Sequence, residues 1–248
     1  MSLPLQGMRI LAIEQYGAGP FSTQHLADLG AEVIKIENPH DGGDVGRAVG
    51  PHYFGPGNSH FYQAFNRNKK SVRLDLKQEA GRDVLHKLLE HADAVFNNLR
   101  GDLPAKLGLT YDALKHIRKD IVCVHLSAYG RDGERANWPG YDYLMQAEAG
   151  YLSLTGEPDG PPSRFGLSMI DLMTGTTAAL GLVSAVLGAR QWLDKKTHSA
   201  NRPPAKLSEK RWEILANLCQ INADLERSLQ PLRNVTREAS IEGGTTLG

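Results

Sequence analysis

Short aliphatic runs alternate with longer amphipathic ones along the first two thirds of this chain. Residues 8–14 (MRILAIE), 32–37 (EVIKIE), 94–98 (AVFNN) and 121–126 (IVCVHL) are apolar enough for buried strands and too short for helices. Residues 61–76 end in a further strand of alternating character. Helical spacing appears between them. It sets Phe21, Leu26 and Leu29 on one side of residues 21–29, and Val84, Leu85, Leu88 and Leu89 on one side of residues 79–91. Pro20 falls at the first turn of the first helix and Gly30 just past its end. Residues 111–118 and 141–150 predict two more helices. Strand, helix and strand within about 30 residues predict parallel pairing. The expected class is therefore α/β, with a doubly wound, Rossmann-like sheet.

The longest weakly charged run is residues 165–190, FGLSMIDLMTGTTAALGLVSAVLGAR, and it predicts a helix packed on most sides. Its apolar part, 175–189, is short for a bilayer span, which takes about 20 residues. Asp171 is a carboxylate between apolar SMI and LM. Burying such a group is costly unless it is paired or used. It serves either as a helix N-cap or as a reactive acid. Beyond Arg190 the pattern changes. Residues 1–190 are expected as one domain, 191–205 as a polar linker, and 206–248 as a helical tail with a disordered end. In the tail Trp212, Leu215, Leu218 and Cys219 recur at helical spacing.

Composition narrows the function classes. Of 248 residues, 41% are hydrophobic and 23% charged, as in ordinary soluble domains. The 28 basic residues balance the 28 acidic ones, so no net field draws the chain to nucleic acid or to an anionic membrane. Cys123 and Cys219 lie far apart without metal spacing, and the first ten residues lack a signal-peptide pattern. A reduced, cytoplasmic setting is expected.

Chemistry concentrates at the ends of the expected strands. The QYGAGP turn after the first strand leads into a helix N-terminus, a natural anion site. Glu37 falls where dinucleotide folds place a ribose-binding acid, yet the turn lacks the third glycine of G-x-G-x-x-G, so NAD is disfavoured. Residues 38–58 form a long Gly-, Pro- and Asp-rich loop. Arg67, Lys69, Lys70 and Arg73 cluster at the next strand, as a solvated face or a phosphate cradle. Arg100 and Lys106 follow the third strand, at the edge where crossover folds bind ligands.

The ordered segments LQGMRILAIEQYGAGPFSTQHLADLGAEVIKIE, FNRNKKSVRLDLK, ADAVFNNLRGDLPAKLGL, SAYGRDG, PGYDYLMQAEAG, LSLTGEPDGPP and FGLSMIDLMTG resemble the family III CoA-transferases of CaiB/BaiF type. That group includes formyl-CoA and crotonobetainyl-CoA transferases. The resemblance covers residues 5 to about 190 and implies that Asp171 is a nucleophile, attacking an acyl-CoA thioester to give an acyl anhydride and then an aspartyl-CoA thioester. It implies that coenzyme A, a substrate and not a resident cofactor, is held by Gln15, Tyr16 and Ala18, by Lys69, Lys70 and Leu74, by Asn98, Leu99 and Arg100, and by Lys106. It also implies a carboxylic acid as second substrate and a homodimer, with no nucleic acid, membrane or metal. Asn38 stands where many members carry Arg, and Arg47 is the candidate replacement. The racemase branch pairs a His with the Asp of a GHD motif. Here the tripeptide is Gly140-Tyr141-Asp142, which favours the transferase reading and leaves Asp142 structural or a pocket residue. After Arg190 the family's R-x-x-T-G-x-G-Q continuation and small domain have no counterpart. A truncated, non-catalytic CoA-binding remnant or partner subunit is the alternative.

Overall fold

The computed structural model describes residues 2–198, with side chains to position 191. Its contacts divide the chain into two compact units. Among the described residues the first comprises 2–140 with 170–198, and the second Tyr141–Met169.

The first unit is built on a five-stranded parallel sheet. Strand β1 (Arg9–Ile13) leads through helix α1 (Ala18–Asp28) to β2 (Glu32–Glu37). The long loop that follows holds a 3-10 turn (Val45–Ala48) and a small hairpin of β3 (Tyr53–Gly55) and β4 (Asn58–Ser59). Helix α2 (His60–Asn66) then precedes β5 (Lys70–Arg73). Helix α3 (Glu79–Leu89), β6 (Ala94–Asn97), two short helices α4 (Leu103–Lys106) and α5 (Tyr111–Leu114), and β7 (Val122–His125) complete the sheet region. The strand order is β5-β2-β1-β6-β7. Because β1 is central, the chain first grows to one side of it and then to the other. The carboxyl ends of β1 and β6 therefore flank the switch point where such sheets open to ligands.

Registers explain the two faces. Leu11 pairs with Ile34 and Val95, and Val95 with Cys123. With Ile13 and Ile36 these residues join Leu85 and Leu89 of α3 in one apolar core. Lys35 pairs with Ala12 and so points to the opposite face, which α1 covers: Thr23 of α1 donates to Glu14 there at 2.7 Å. Leu26 is that helix's buried anchor, whereas Leu29 is 45% exposed, so the expected stripe ends one residue early. Helix α2, which the basic pattern of residues 61–76 obscured, starts where Ser59 accepts from the Tyr62 amide at 2.9 Å.

Helix α7 (Met169–His198) crosses the α1 face. Gly175, Ala179, Leu182 and Val186 are buried at helical spacing, while Met173, Leu180 and Leu187 are exposed. One face is packed, not most sides, because one layer of the sheet unit meets it. The portion Met169–Gln191 is also long and apolar enough to cross a bilayer by length and composition, contrary to the shorter span expected from its apolar part alone. The helix continues through Gln191 to His198, so the expected linker does not begin at 191. The expected tail, 206–248, lies outside the described residues. In the second unit, α6 (Asp142–Glu148) carries Gln146, which donates to Asp142 at 2.5 Å and accepts from the Phe165 amide at 2.8 Å. Asp142 is buried in that unit and bound within its own helix.

Candidate active site

The turn between β1 and α1 is clamped from two sides. Asn98, just past β6, accepts from the Gln15 amide at 2.9 Å and donates to the Gln15 carbonyl at 2.8 Å. From the other side, Asp44 accepts from the Tyr16 amide at 2.9 Å. Between these two clamps Tyr16 adopts a left-handed conformation, φ 67°. For a residue with a Cβ that costs about 1–2 kcal/mol, which the surrounding bonds must offset. The next residue, Gly17, is the N-cap of α1 and offers no capping side chain.

Asp171 meets that turn. It lies in the first turn of α7, partly exposed, and a Cβ added to Gly17 would stand 2.9 Å from its Oδ2. Gly175, one helical turn on, sits so close to α1 that a Cβ there would be 2.6 Å from the Ala18 carbonyl oxygen. At the far end of the helix Arg190 lies 3.2 Å from Asp93, just before β6. Two glycines and one ion pair thus fix how α7 lies, with its carboxylate against the start of α1. A carboxylate near a helix N-terminus is favoured by the unsatisfied amides and the dipole there.

The basic residues divide. Lys69 is turned inward. Its ammonium is 2% exposed and donates to Glu14 at 2.8 Å, to the Pro20 carbonyl at 2.7 Å and to Asn66 at 3.3 Å. Burial pulls its pKa down to about 8, against the attraction of Glu14. Burial would raise Glu14, but Lys69 and Lys35 outweigh it and hold the carboxyl lowered. Lys35 is wholly buried, 2.6 Å from Asp44 Oδ2. Lys70 is largely exposed and pairs with Glu32 at 2.5 Å. Arg100 and Lys106 do come together, both on Asp102 at 2.7 and 2.6 Å. Hydrogen bonds from Arg100 and Lys106 keep that carboxyl well below its usual range. Leu74 and Leu99 pack against the apolar core, which leaves backbone as their polar offering. Ala18 is buried, whereas Gln15 and Tyr16 are exposed.

Arg47 cannot replace a phosphate-binding arginine at position 38. Its guanidinium donates to both oxygens of Glu37, at 2.8 and 2.7 Å, and stacks 3.8 Å from the Tyr62 ring centroid. Glu37 in turn accepts from Ser71 and from the Asp44 amide, so it is not open to a ribose. Burial would raise its pKa, but bonds from Arg47, Ser71 and the Asp44 amide bring it down to about 2. The dinucleotide reading of this strand end therefore fails on occupancy. Sequence reasoning missed Asp44 and Lys35; the spacing D-x-x-R of Asp44 and Arg47, inside a loop, was the available signal. It also missed Asn97, whose amide lies 2.7 Å from His125 Nδ1 at the ends of β6 and β7. Burial, with Arg131 adding to it, lowers His125 to about 4. No cluster of His, Cys, Asp and Glu fit for a metal exists among the described residues.

A parallel sheet with helices packed on it defines an α/β fold, with a carboxylate set against its first crossover turn. The profile of CoA-transferase family III matches residues 5–198, and the chain belongs to that family. It is 37% identical over 191 residues to a succinate–glutarate CoA-transferase of Agrobacterium fabrum, covering 75% of this chain and 48% of that protein. It is 37% identical over 197 residues to an acetyl-CoA:oxalate CoA-transferase of Acetobacter aceti, covering 79% and 49%. The fold matches a solved CaiB/BaiF family protein from Brucella suis with TM-score 0.72 at 34% identity, covering 77% of this chain and 51% of that one. The chain spans about half the length of these relatives.

Proposed function

We propose that this chain carries the nucleophile half of a CoA-transferase, with Asp171 as the attacking group. The observation that supports it most is the approach of the Asp171 carboxylate to Gly17, at the mouth of α1. In the proposed step an Asp171 oxygen attacks the thioester carbonyl carbon of an acyl-CoA. The carbon–sulfur bond breaks, its electron pair leaves with the CoA thiolate, and an aspartyl acyl anhydride remains. The thiolate then attacks the aspartyl carbonyl of that anhydride, releasing the acyl group as a carboxylate and leaving an aspartyl-CoA thioester. An incoming carboxylate and the same two steps in reverse complete the exchange. Backbone amides at the start of α1 are the natural stabilisers of the negative charge that develops. CoA would run along the carboxyl edge of the sheet, from Gln15 and Tyr16 to Arg100 and Lys106. Short dicarboxylic acids are the proposed acids, after the names of the relatives.

The test is incubation with succinyl-CoA, trapping with hydroxylamine, and peptide mass spectrometry. A hydroxamate at Asp171 with release of free CoA is expected, and Asp171→Asn is expected to abolish it. Folded protein that releases no CoA and carries no adduct would overturn the proposal.

A further inference from the structure

The β1–α1 turn owes its shape to a buried ion pair outside it. We infer that Asp44, backed by Lys35, is a positioning residue for the reacting carboxylate: it holds Tyr16 in the left-handed conformation that brings Gly17 against Asp171. Asp44 Oδ1 accepts from two amides, Tyr16 at 2.9 Å and Gly46 at 2.7 Å. One oxygen therefore ties the turn after β1 to the loop after β2. The other oxygen is 2.6 Å from Lys35 Nζ, and both side chains are wholly buried. Asp44 itself is fixed through its amide, which donates to Glu37 at 2.8 Å. Lys35 is rooted in β2, opposite Ala12 of β1. The chain of support thus runs from the middle of the sheet through Lys35 and Asp44 to the Tyr16 amide. Asn98 holds the Gln15 carbonyl, which shares one planar peptide unit with the Tyr16 amide, so Asn98 and Asp44 grip that plane from two sides. Losing the Asp44 acceptor leaves the plane held from the Asn98 side alone, and the turn can relax toward the extended conformation that a residue with a Cβ prefers at position 16. Gly17 would then swing away from Asp171. For its catalytic consequence the inference rests on Asp171 as nucleophile; for its conformational consequence it does not.

The test separates charge from acceptor. Removing Asp44 alone would strand a buried ammonium, so both variants also carry Lys35→Met. In Lys35→Met/Asp44→Asn the amide oxygen can still accept from Tyr16. In Lys35→Met/Asp44→Leu it cannot; Lys35→Met/Asp44→Ala supplies the same comparison if the leucine version lacks a cooperative melt. Two quantities are read: the rate of Asp171 hydroxamate formation with succinyl-CoA, and exchange of the Tyr16 amide by NMR. The acceptor-free variant is expected to lose roughly a hundredfold in trapping rate, as displacement of a reacting group does. Its Tyr16 amide is expected to exchange at least about tenfold faster, with β1 amides unchanged, as a local opening. The asparagine variant is expected to restore both to within about tenfold of wild type, since the bond survives. Equal trapping rates in the two variants would overturn the positioning role. If wild type forms no adduct, the nucleophile reading has failed, and exchange alone decides: equal Tyr16 protection in the two variants overturns the inference.

Discussion

Glu37 resists protonation until about pH 2 although its side chain is 1% exposed, because Arg47, Ser71 and the Asp44 amide all bond its charged form. The unfolded chain takes up that proton near its ordinary value of 4.5. As pH falls between these two values the unfolded state binds the proton first, so stability drops with falling pH. Over the whole window the loss from this one group is about 3 kcal/mol. His125 acts in the same direction at higher pH: lowered from 6.5 to about 4, it is protonated first in the unfolded chain across that range. Urea melts from pH 7 to pH 2 are expected to show both losses, and Glu37→Gln is expected to flatten the limb below pH 4.5 at the cost of neutral-pH stability. Gly17 makes a different prediction. A methyl there would lie 2.9 Å from Asp171 Oδ2. Gly17→Ala is expected to slow hydroxylamine trapping by about tenfold or more through displacement, with a stability loss of about 1 kcal/mol in urea melts because alanine is a much poorer N-cap than glycine.

At the scale of elements, α7 shows how a single helix divides its duties. Leu182 is wholly buried and Leu180 is 69% exposed. Leu182→Ala is expected to cost about 2–5 kcal/mol in denaturant melts, whereas Leu180→Gln stays within about 0.5 kcal/mol. Gly175→Val is expected to force α7 from α1, destabilising by about 1–3 kcal/mol and dragging Asp171 with it. The helix itself was legible from its apolar run, but its exposed stripe was not. Met173, Leu180 and Leu187 look like core residues in sequence because hydrophobicity does not say how many layers a helix meets. Strand β2 was legible to the residue, since EVIKIE is bounded by Ala31 and Asn38. Helix α2 was not, because its Ser59 cap sits at the end of a glycine-rich loop that masks the start. Among site residues, charge alone did not reveal the surroundings. Lys69 reads as an anion ligand, yet its depth in the fold and the presence of Glu14 opposite are long-range facts that no local pattern carries.

Over the whole molecule, the family profile covers residues 5–198, while its relatives are about twice as long as the matched portion. The α/β class was legible because strand and helix patterns alternate regularly, whereas the order β5-β2-β1-β6-β7 was not, since no local pattern says on which side of β1 a later strand pairs. The site's frame was less legible, because Asp44, Asn98 and Asp171 reach one turn from segments far apart in sequence. That distance has a consequence for synthesis. Helix α1 emerges from the ribosome early, while α7, which covers part of it, begins at Met169. At about 5–20 residues per second, α1 waits roughly ten to thirty seconds for that cover. Strands β1, β2 and β5 can pair in the interval, leaving an apolar flank open to chaperones. The nascent chain is expected to be held by ribosome-associated chaperones until α7 has left the exit tunnel, and Gly175→Val, which obstructs the docking of α7 on α1, to lengthen that hold in ribosome-profiling pulldowns.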